Sequence, residues 1–545
     1  MLCSRCRFNP EPEDQPINCV VLDGSPCSPC KERAAILRQI KQLEEEIMKL
    51  KAKHHALGTT MNAIHDPFIH KLPPEISSRI LSLSLPTLDK GEDYPKALHG
   101  QWSIIRNEWT VPLKLGSVCR KWRQLAWATP DLWTTLYVRI KLSMPHSTAE
   151  FLPGLLREWL NRSGILPLTI YFFPHDDYSD FRSDDTYPGG ADDWTDILDI
   201  TASLVIDLLN SHSGRWRSIY LRANPAILER FSCSTEPKQL VSLELSDTTD
   251  SDIPFSSLKF MTASELGPTH LKLTCLPLTS INIRWEKITH ATLSGISDDE
   301  ALDFLRRAPN LEYYHVRAQS SPAIVQKPIL HPQLRSLNLL PDVSKNVLDA
   351  LTLPFLEEFT HDSTYDDDLP LEAMLSFLKR SGCCLKLLQL RTGPWCSADL
   401  DRFLQALPFL EHLYLHVSGD FEPTEMDGIL SRIFGSAPSS GDISLNAPHE
   451  SFLPMLQFME CRIDGTTIPP FTWEYIPQLY LQGHRQSLTL KCAASNSDIS
   501  EETALRLLQV VDKGFDLRIP SPPDGPDNGD FLENLRNRMH EERFR

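Results

Sequence analysis

Glycine is scarce in this chain of 545 residues: there are 23, about 4% against a usual ~7%. No glycine-rich phosphate loop occurs, nor a Gly-x-Ser-x-Gly elbow, nor a His-Glu-x-x-His stretch. Cys, His and Asp are each present singly, but single residues make no catalytic site, so the chain reads as a non-enzyme that needs no cofactor. Long apolar runs are missing too. None approaches the roughly 18 uncharged residues of a membrane helix. Basic charge is in deficit, 54 Lys and Arg against 72 Asp and Glu for a net of -18, which speaks against wrapping nucleic acid or coating an anionic membrane. The 13 cysteines are too few and too scattered for a disulfide scaffold, and their odd number leaves one unpaired. The start, Met1-Leu2-Cys3-Ser4-Arg5-Cys6, carries no apolar leader. Together these features point to a reducing compartment, cytoplasmic or nuclear.

Proline is abundant instead, with 42 residues, so many short elements are being punctuated. Hydrophobic residues, at 41%, suffice for a large core. Residues 1–30 read as an irregular tail. Residues 31–65 change character: Ile36, Ile40, Leu43, Ile47, Leu50, Leu57, Met61 and Ile64 follow an alternating spacing of four and three, broken only by His54. That is a coiled-coil-like helix with one sticky seam. Such a helix gains little stability alone, so the seam needs a partner. A second copy of the chain, by self-association through residues 31–65, and the helices that follow are both open.

Residues 66–136 contain two apolar, proline-punctuated pieces. The first runs Leu72-Pro73-Pro74-Glu75-Ile76 into a stretch bearing Ile80 and Leu83; the second is Val118-Cys119-Arg120-Lys121-Trp122, followed by Leu125. Prolines suit a helix's first turn, Glu75 complements the N-terminal dipole, and Ile76, Ile80 and Leu83 form one stripe. The two half-motifs, in this order, resemble the F-box of fungal F-box proteins, with residues 86–112 as an insertion longer than the usual link. The resemblance implies that Leu72, Pro73, Glu75, Ile76, Ile80, Leu83, Val118, Cys119, Trp122 and Leu125 meet a Skp-type adaptor. Through it the chain would join a cullin of an SCF-type ubiquitin ligase. Lys114, Arg120, Lys121 and Arg123 would suit an acidic adaptor.

From residue 137 to 514 a repeat dominates. The frame apolar-x-x-apolar-x-apolar recurs at Trp216-Ile219-Leu221, Leu240-Leu243-Leu245, Ile288-Ala291-Leu293, Leu311-Tyr314-Val316, Leu334-Leu337-Leu339, Leu385-Leu388-Leu390 and Leu410-Leu413-Leu415. Weaker copies start at Pro268, Leu356 and Leu456. Frame starts recur close to the 20 to 29 residues of leucine-rich repeats. Asp298, Ser344 and Ser397 are candidate caps of intervening helices. Pro309, Pro354 and Pro408 stand two residues before the next frame. The family's ninth-position Asn is missing, with Thr248, Ile296, Gln319, Asp342 and Ser418 there. The expected fold is therefore α/β: a small helical module followed by an irregular leucine-rich-repeat-like solenoid, preceded by a long helix. An ordinary α/β domain with fortuitous leucine spacing is the competing reading. Alternation along each strand places His270, His290, Tyr313, His315, Arg317, His412, Tyr414 and His416 on the outward face, either as contacts for a protein substrate or as a solvated surface.

Three other groupings carry less. Cys3-x-x-Cys6 and Cys27-x-x-Cys30 have zinc-site spacing, but Pro29 and the lack of glycine knuckles favour reduced cysteines in a tail over a metal site. Residues 175–199 hold nine aspartates against one arginine, without the order of a calcium loop, and read as a solvated acidic loop. Residues 515–545 read as a linker and a final helix containing Phe531, Leu535 and Met539. The implied role is that of a substrate receptor in a ubiquitin ligase. A non-catalytic interaction scaffold or coiled-coil oligomer is the alternative.

Overall fold

The computed structural model describes residues 27–65, 72–85, 110–140, 146–173, 191–248, 260, 266–319, 328–340, 345–363, 369–392, 397–418, 423–434, 452–464, 472–474, 476–477, 480, 489–492, 500–519, 532–533 and 536–537. Contacts divide the chain into two units, Met1–Trp133 and Thr134–Arg545. No helix among the described residues is long and apolar enough to cross a membrane.

The first unit contains four α-helices and one 3-10 helix, Pro130–Trp133, among its described residues. α1 (Ser28–His65) is the long helix of the heptad spacing. α2 (Pro74–Leu83) begins on proline, with Pro73 at its N-cap and Glu75 in its first turn. The Val-Cys-Arg-x-Trp piece spans two helices, α3 (Val111–Val118) and α4 (Arg120–Trp127). Cys119 is extended between them, and its sulfur accepts the Trp122 N–H, which starts α4 afresh. Arg123 closes the joint by donating through Nε to the Gly116 carbonyl, 2.8 Å away, at the end of α3. Ser77, Leu81, Ala126, Leu132 and Trp133 form the buried interior. Trp133 donates to the Ala126 carbonyl at 2.8 Å, and the Thr129 hydroxyl joins Ser78 at 2.9 Å.

The second unit carries the repeat. Its strands and helices follow in chain order: β1 (Thr135–Arg139), α5 (His146–Arg162), β2 (Leu168–Phe173), α6 (Ala191–Ser211), β3 (Trp216–Arg222), β4 (Ser242–Ser246), β5 (His270–Thr274), β6 (His290–Ser297), α7 (Asp298–Arg307), β7 (Tyr313–Gln319), β8 (Ile329–Leu330), β9 (Ser336–Leu339), α8 (Lys345–Ala350), β10 (Leu351–Thr352), β11 (Glu358–Ser363), α9 (Leu371–Ser381), β12 (Leu387–Thr392), α10 (Ser397–Gln405), β13 (His412–Ser418), α11 (Pro423–Phe434), β14 (Phe458–Asp464), β15 (Thr489–Cys492), α12 (Glu501–Asp512) and β16 (Leu517–Arg518). Apart from β8 and β10, which pair with each other, the strands form one parallel sheet in sequence order, 14 strands among the described residues. The fold is α/β, a sheet of sequential parallel strands of leucine-rich-repeat-like type.

Its cause is the frame. The fourth and sixth frame positions become two parallel rows of buried side chains, as in Leu243 and Leu245, Leu337 and Leu339, Leu388 and Leu390, Leu413 and Leu415. Helices cover this face. Phe304 of α7 stacks on Tyr314, whose hydroxyl donates to the Ala301 carbonyl at 3.0 Å, and Phe377 of α9 meets Phe359. Proline then turns the chain back. In Ala308-Pro309-Asn310-Leu311, Leu353-Pro354-Phe355-Leu356 and Leu407-Pro408-Phe409-Leu410, the fourth residue's N–H reaches the first carbonyl at 3.2 to 3.3 Å.

Several expectations are corrected. Ser297, not Asp298, caps α7, because Ser297 and Glu300 exchange hydrogen bonds in a capping box. The helix expected after Ser344 ends at Ala350, and Leu351 starts β10. The sheet begins at Thr135 and ends at Arg518, so residues 135–136 and 517–518 belong to it rather than to the helical module or the linker. Residues 191–199 of the supposed acidic loop are helical, within α6. Residues 175–190, Cys3, Cys6, Ser344 and most of the 86–112 insertion lie outside the described residues. So do Phe531, Leu535 and Met539, but Leu532 is buried and Arg536 pairs with Asp512 of α12.

His361 occupies a leucine position, flanked in register by Leu339 and Leu390. Burial holds its imidazole neutral, pushing it down from 6.5 to about 4. A folded value below the unfolded one gives stability that is full above pH 6.5 and lost as pH falls toward 4. Chemical denaturation should show His361→Leu removing part of that acid loss. The two faces of β12 should also separate: Leu390→Ala costs about 2–5 kcal/mol by cavity formation, and Gln389→Ala, on the opposite face, stays within about 0.5 kcal/mol.

Candidate functional site

Two surfaces concentrate the residues singled out by the sequence. On the helical module, α2 turns Ser77 and Leu81 inward, so Ile76, Ile80 and Leu83 face out, between 37% and 68% exposed. Leu113, Val118 and Trp127 are exposed as well. Leu72, Cys119, Trp122 and Leu125 are half-buried, and Pro73 and Glu75 are exposed. Arg120, Lys121 and Arg123 stand on the same short helix as Trp122, a basic setting for the apolar stripe.

The second surface is the sheet face opposite the helices. Side chains here fall in three rows because neighbouring strands pair in register, apart from shifts after Leu168 and after Ser294. The first row brings His270, His290 and Tyr313 together, with the rings stacked at 4.3 and 4.4 Å. The Thr269 and Thr289 hydroxyls donate to the Val241 and Thr269 carbonyls, and each meets the following histidine's Nδ1 at 2.9 and 2.8 Å. Which partner donates in each threonine–histidine contact depends on the imidazole tautomer. Burial lowers the pKa of His290.

The middle row aligns His315 with Thr292 and Asn338, and Glu244 with Lys272 in an ion pair of 2.8 Å. Burial, then the charges of Lys272 and Arg317, hold His315 down to about 4, so this ring is neutral at physiological pH. Arg317 is exposed in the third row. The second histidine group lies on β13, four strand steps from β7, or about 19 Å at the usual strand spacing. There His412 and Tyr414 meet the Phe458 ring at 6.2 and 5.2 Å. His416 does not join them at the surface. It is buried, 3.6 Å from Glu460, and acts as that carboxylate's support. With Lys491 at 3.0 Å on the other side, the Glu460 carboxyl is drawn down to about 2.

Tyr137, Tyr171 and Tyr220 escaped the sequence reading. They continue the middle row across β1, β2 and β3, with Tyr171 and Tyr220 stacked at 4.3 Å. The signal was present as apolar-Tyr-apolar in Leu136-Tyr137-Val138, Ile170-Tyr171-Phe172 and Ile219-Tyr220-Leu221. Burial, with Glu244 near, raises the Tyr220 phenol. The face thus offers aromatic platforms, imidazoles and paired charges, the chemistry of recognition. Among the described residues no group of three His, Cys, Asp or Glu side chains is placed to hold a metal. Of the candidate zinc ligands, Cys27 precedes α1 and Cys30 lies in its first turn.

No protein-family model and no curated protein matches the chain. Among solved structures, a Bacteroides fragilis protein determined by structural genomics is similar at a TM-score of 0.27 and 14% identity, over 41% of this chain and 64% of that one.

Glu460→Gln tests the electrostatics. The folded value near 2 lies below the ordinary 4.5, so the carboxylate's contribution is complete above pH 4.5 and lost as pH falls through 2. Removing the charge should lower stability at neutral pH by on the order of 3 kcal/mol and flatten the pH dependence between those values in denaturation curves.

Proposed function

We propose that the chain is the substrate-recognition subunit of an SCF-type cullin-RING ubiquitin ligase, with the helical module docking on a Skp-type adaptor and the open sheet face binding a protein substrate. The carrying observation is the outward stripe Ile76, Ile80 and Leu83 on a helix entered through Leu72-Pro73-Pro74, beside the Val118 to Leu125 piece with its cations. A monomeric helical module has no use for an apolar stripe in water, and the residues forming it are those the F-box resemblance assigns to adaptor contact. Positive charge beside the stripe suits an acidic adaptor. In this role the chain holds a target close to a ubiquitin-charged enzyme and itself performs no chemistry.

A scaffold without a ligase role is the second reading, favoured by the exposed apolar seam of α1. Co-purification separates the two. The unaltered chain should retain adaptor and cullin, and Leu72→Ala combined with Pro73→Glu should lose most of both while circular dichroism is unchanged. If the unaltered chain retains neither, the ligase role is wrong and the scaffold stands.

A further inference from the structure

The seam of α1 is uncovered over its full length. Ile36, Ile40, Leu43, Ile47, Leu50, Leu57, Met61 and Ile64 are between 45% and 69% exposed, and no described residue packs over them. A helix of 38 residues extends about 57 Å. An apolar stripe of that length in water is an interface waiting for a second helix.

Charge along the helix says which helix fits. Glu44, Glu45 and Glu46 form an acidic block and Lys49, Lys51 and Lys53 a basic one, and the two blocks lie either side of the seam's middle. A second copy laid antiparallel therefore puts each acidic block against the other's basic block. With Ile40 and Ile47 at a positions, the layers pair Ile36 with Met61, Ile40 with Leu57 and Ile47 with Leu50, each twice. The flanks then pair Glu44 with Lys51 and Glu46 with Lys53, and Leu37 falls opposite Gly58, where no Cβ obstructs it. His54 meets Leu43. A parallel pair would stack His54 on His54 and Arg33 on Arg33 in the seam and would keep only the Glu46–Lys51 pairing.

We infer that the chain self-associates through α1 as an antiparallel two-stranded coiled coil. The inference does not rest on the ligase reading, since it concerns a different helix and a different partner. Sedimentation equilibrium of the full chain over a concentration series should give twice the monomer mass, and Leu43→Glu with Leu50→Glu should return it to one. Both leucines are exposed on α1, so any loss of circular dichroism in the variant is confined to that helix, which gains little stability alone. Orientation is read from a chain carrying Ile40→Cys and Leu57→Cys, oxidised and mapped by mass spectrometry. A disulfide between residue 40 of one chain and residue 57 of the other supports the antiparallel pair. A disulfide between the two residues 40 overturns it. A monomer mass for the unaltered chain at every concentration overturns self-association outright.

Discussion

The arrangement depends on one constraint: a parallel strand must bury alternate side chains, and the strand beside it must bury the same ones. Two buried rows run across the sheet as a result, and any large polar residue in them is a defect, as His361 is. Parallel neighbours cannot be joined by a hairpin, so each strand is followed by a crossover, and helices of these crossovers roof the buried rows. Proline at the turn into several strands stops the roof and resets the register. Growth by repetition lets one core extend through some 400 residues without a second layer of domains.

The same constraint creates the open face of the sheet. With two rows committed inward, the rows between them must face out, and register aligns side chains from distant parts of the chain. His270, His290 and Tyr313 stack because β5, β6 and β7 are neighbours, although their sequence separations look unremarkable. Where a row places charges of opposite sign side by side, as at Glu244 and Lys272 or Glu460 and Lys491, the face is held rigid before any partner arrives.

How much of this can be read from the sequence follows from the range of the interactions. Leucine periodicity is local, so the frames from Trp216 to Leu456 mark strands directly, and the long helix announces itself by heptad spacing. The first two strands are less legible because α5 and α6 are long crossovers that push β1, β2 and β3 outside the usual repeat length. Which outward residues touch, and that His416 is buried by Glu460 rather than offered to a partner, depends on lateral register that no single strand encodes. The break at Cys119 is a hydrogen-bond choice between two helix starts, and the motif letters alone do not reveal it.

Under the proposed function, the two units divide the demands of a receptor. One presents an apolar stripe edged by cations, and the other a broad polar and aromatic face. Hydrogen exchange of the full chain, with and without purified Skp-type adaptor, tests this division most directly. The account predicts slowed exchange in Pro74–Leu83 and Val111–Trp127 and no change in the strands of the sheet. Unchanged exchange in those helices, or protection appearing in β5 to β7 instead, would contradict it.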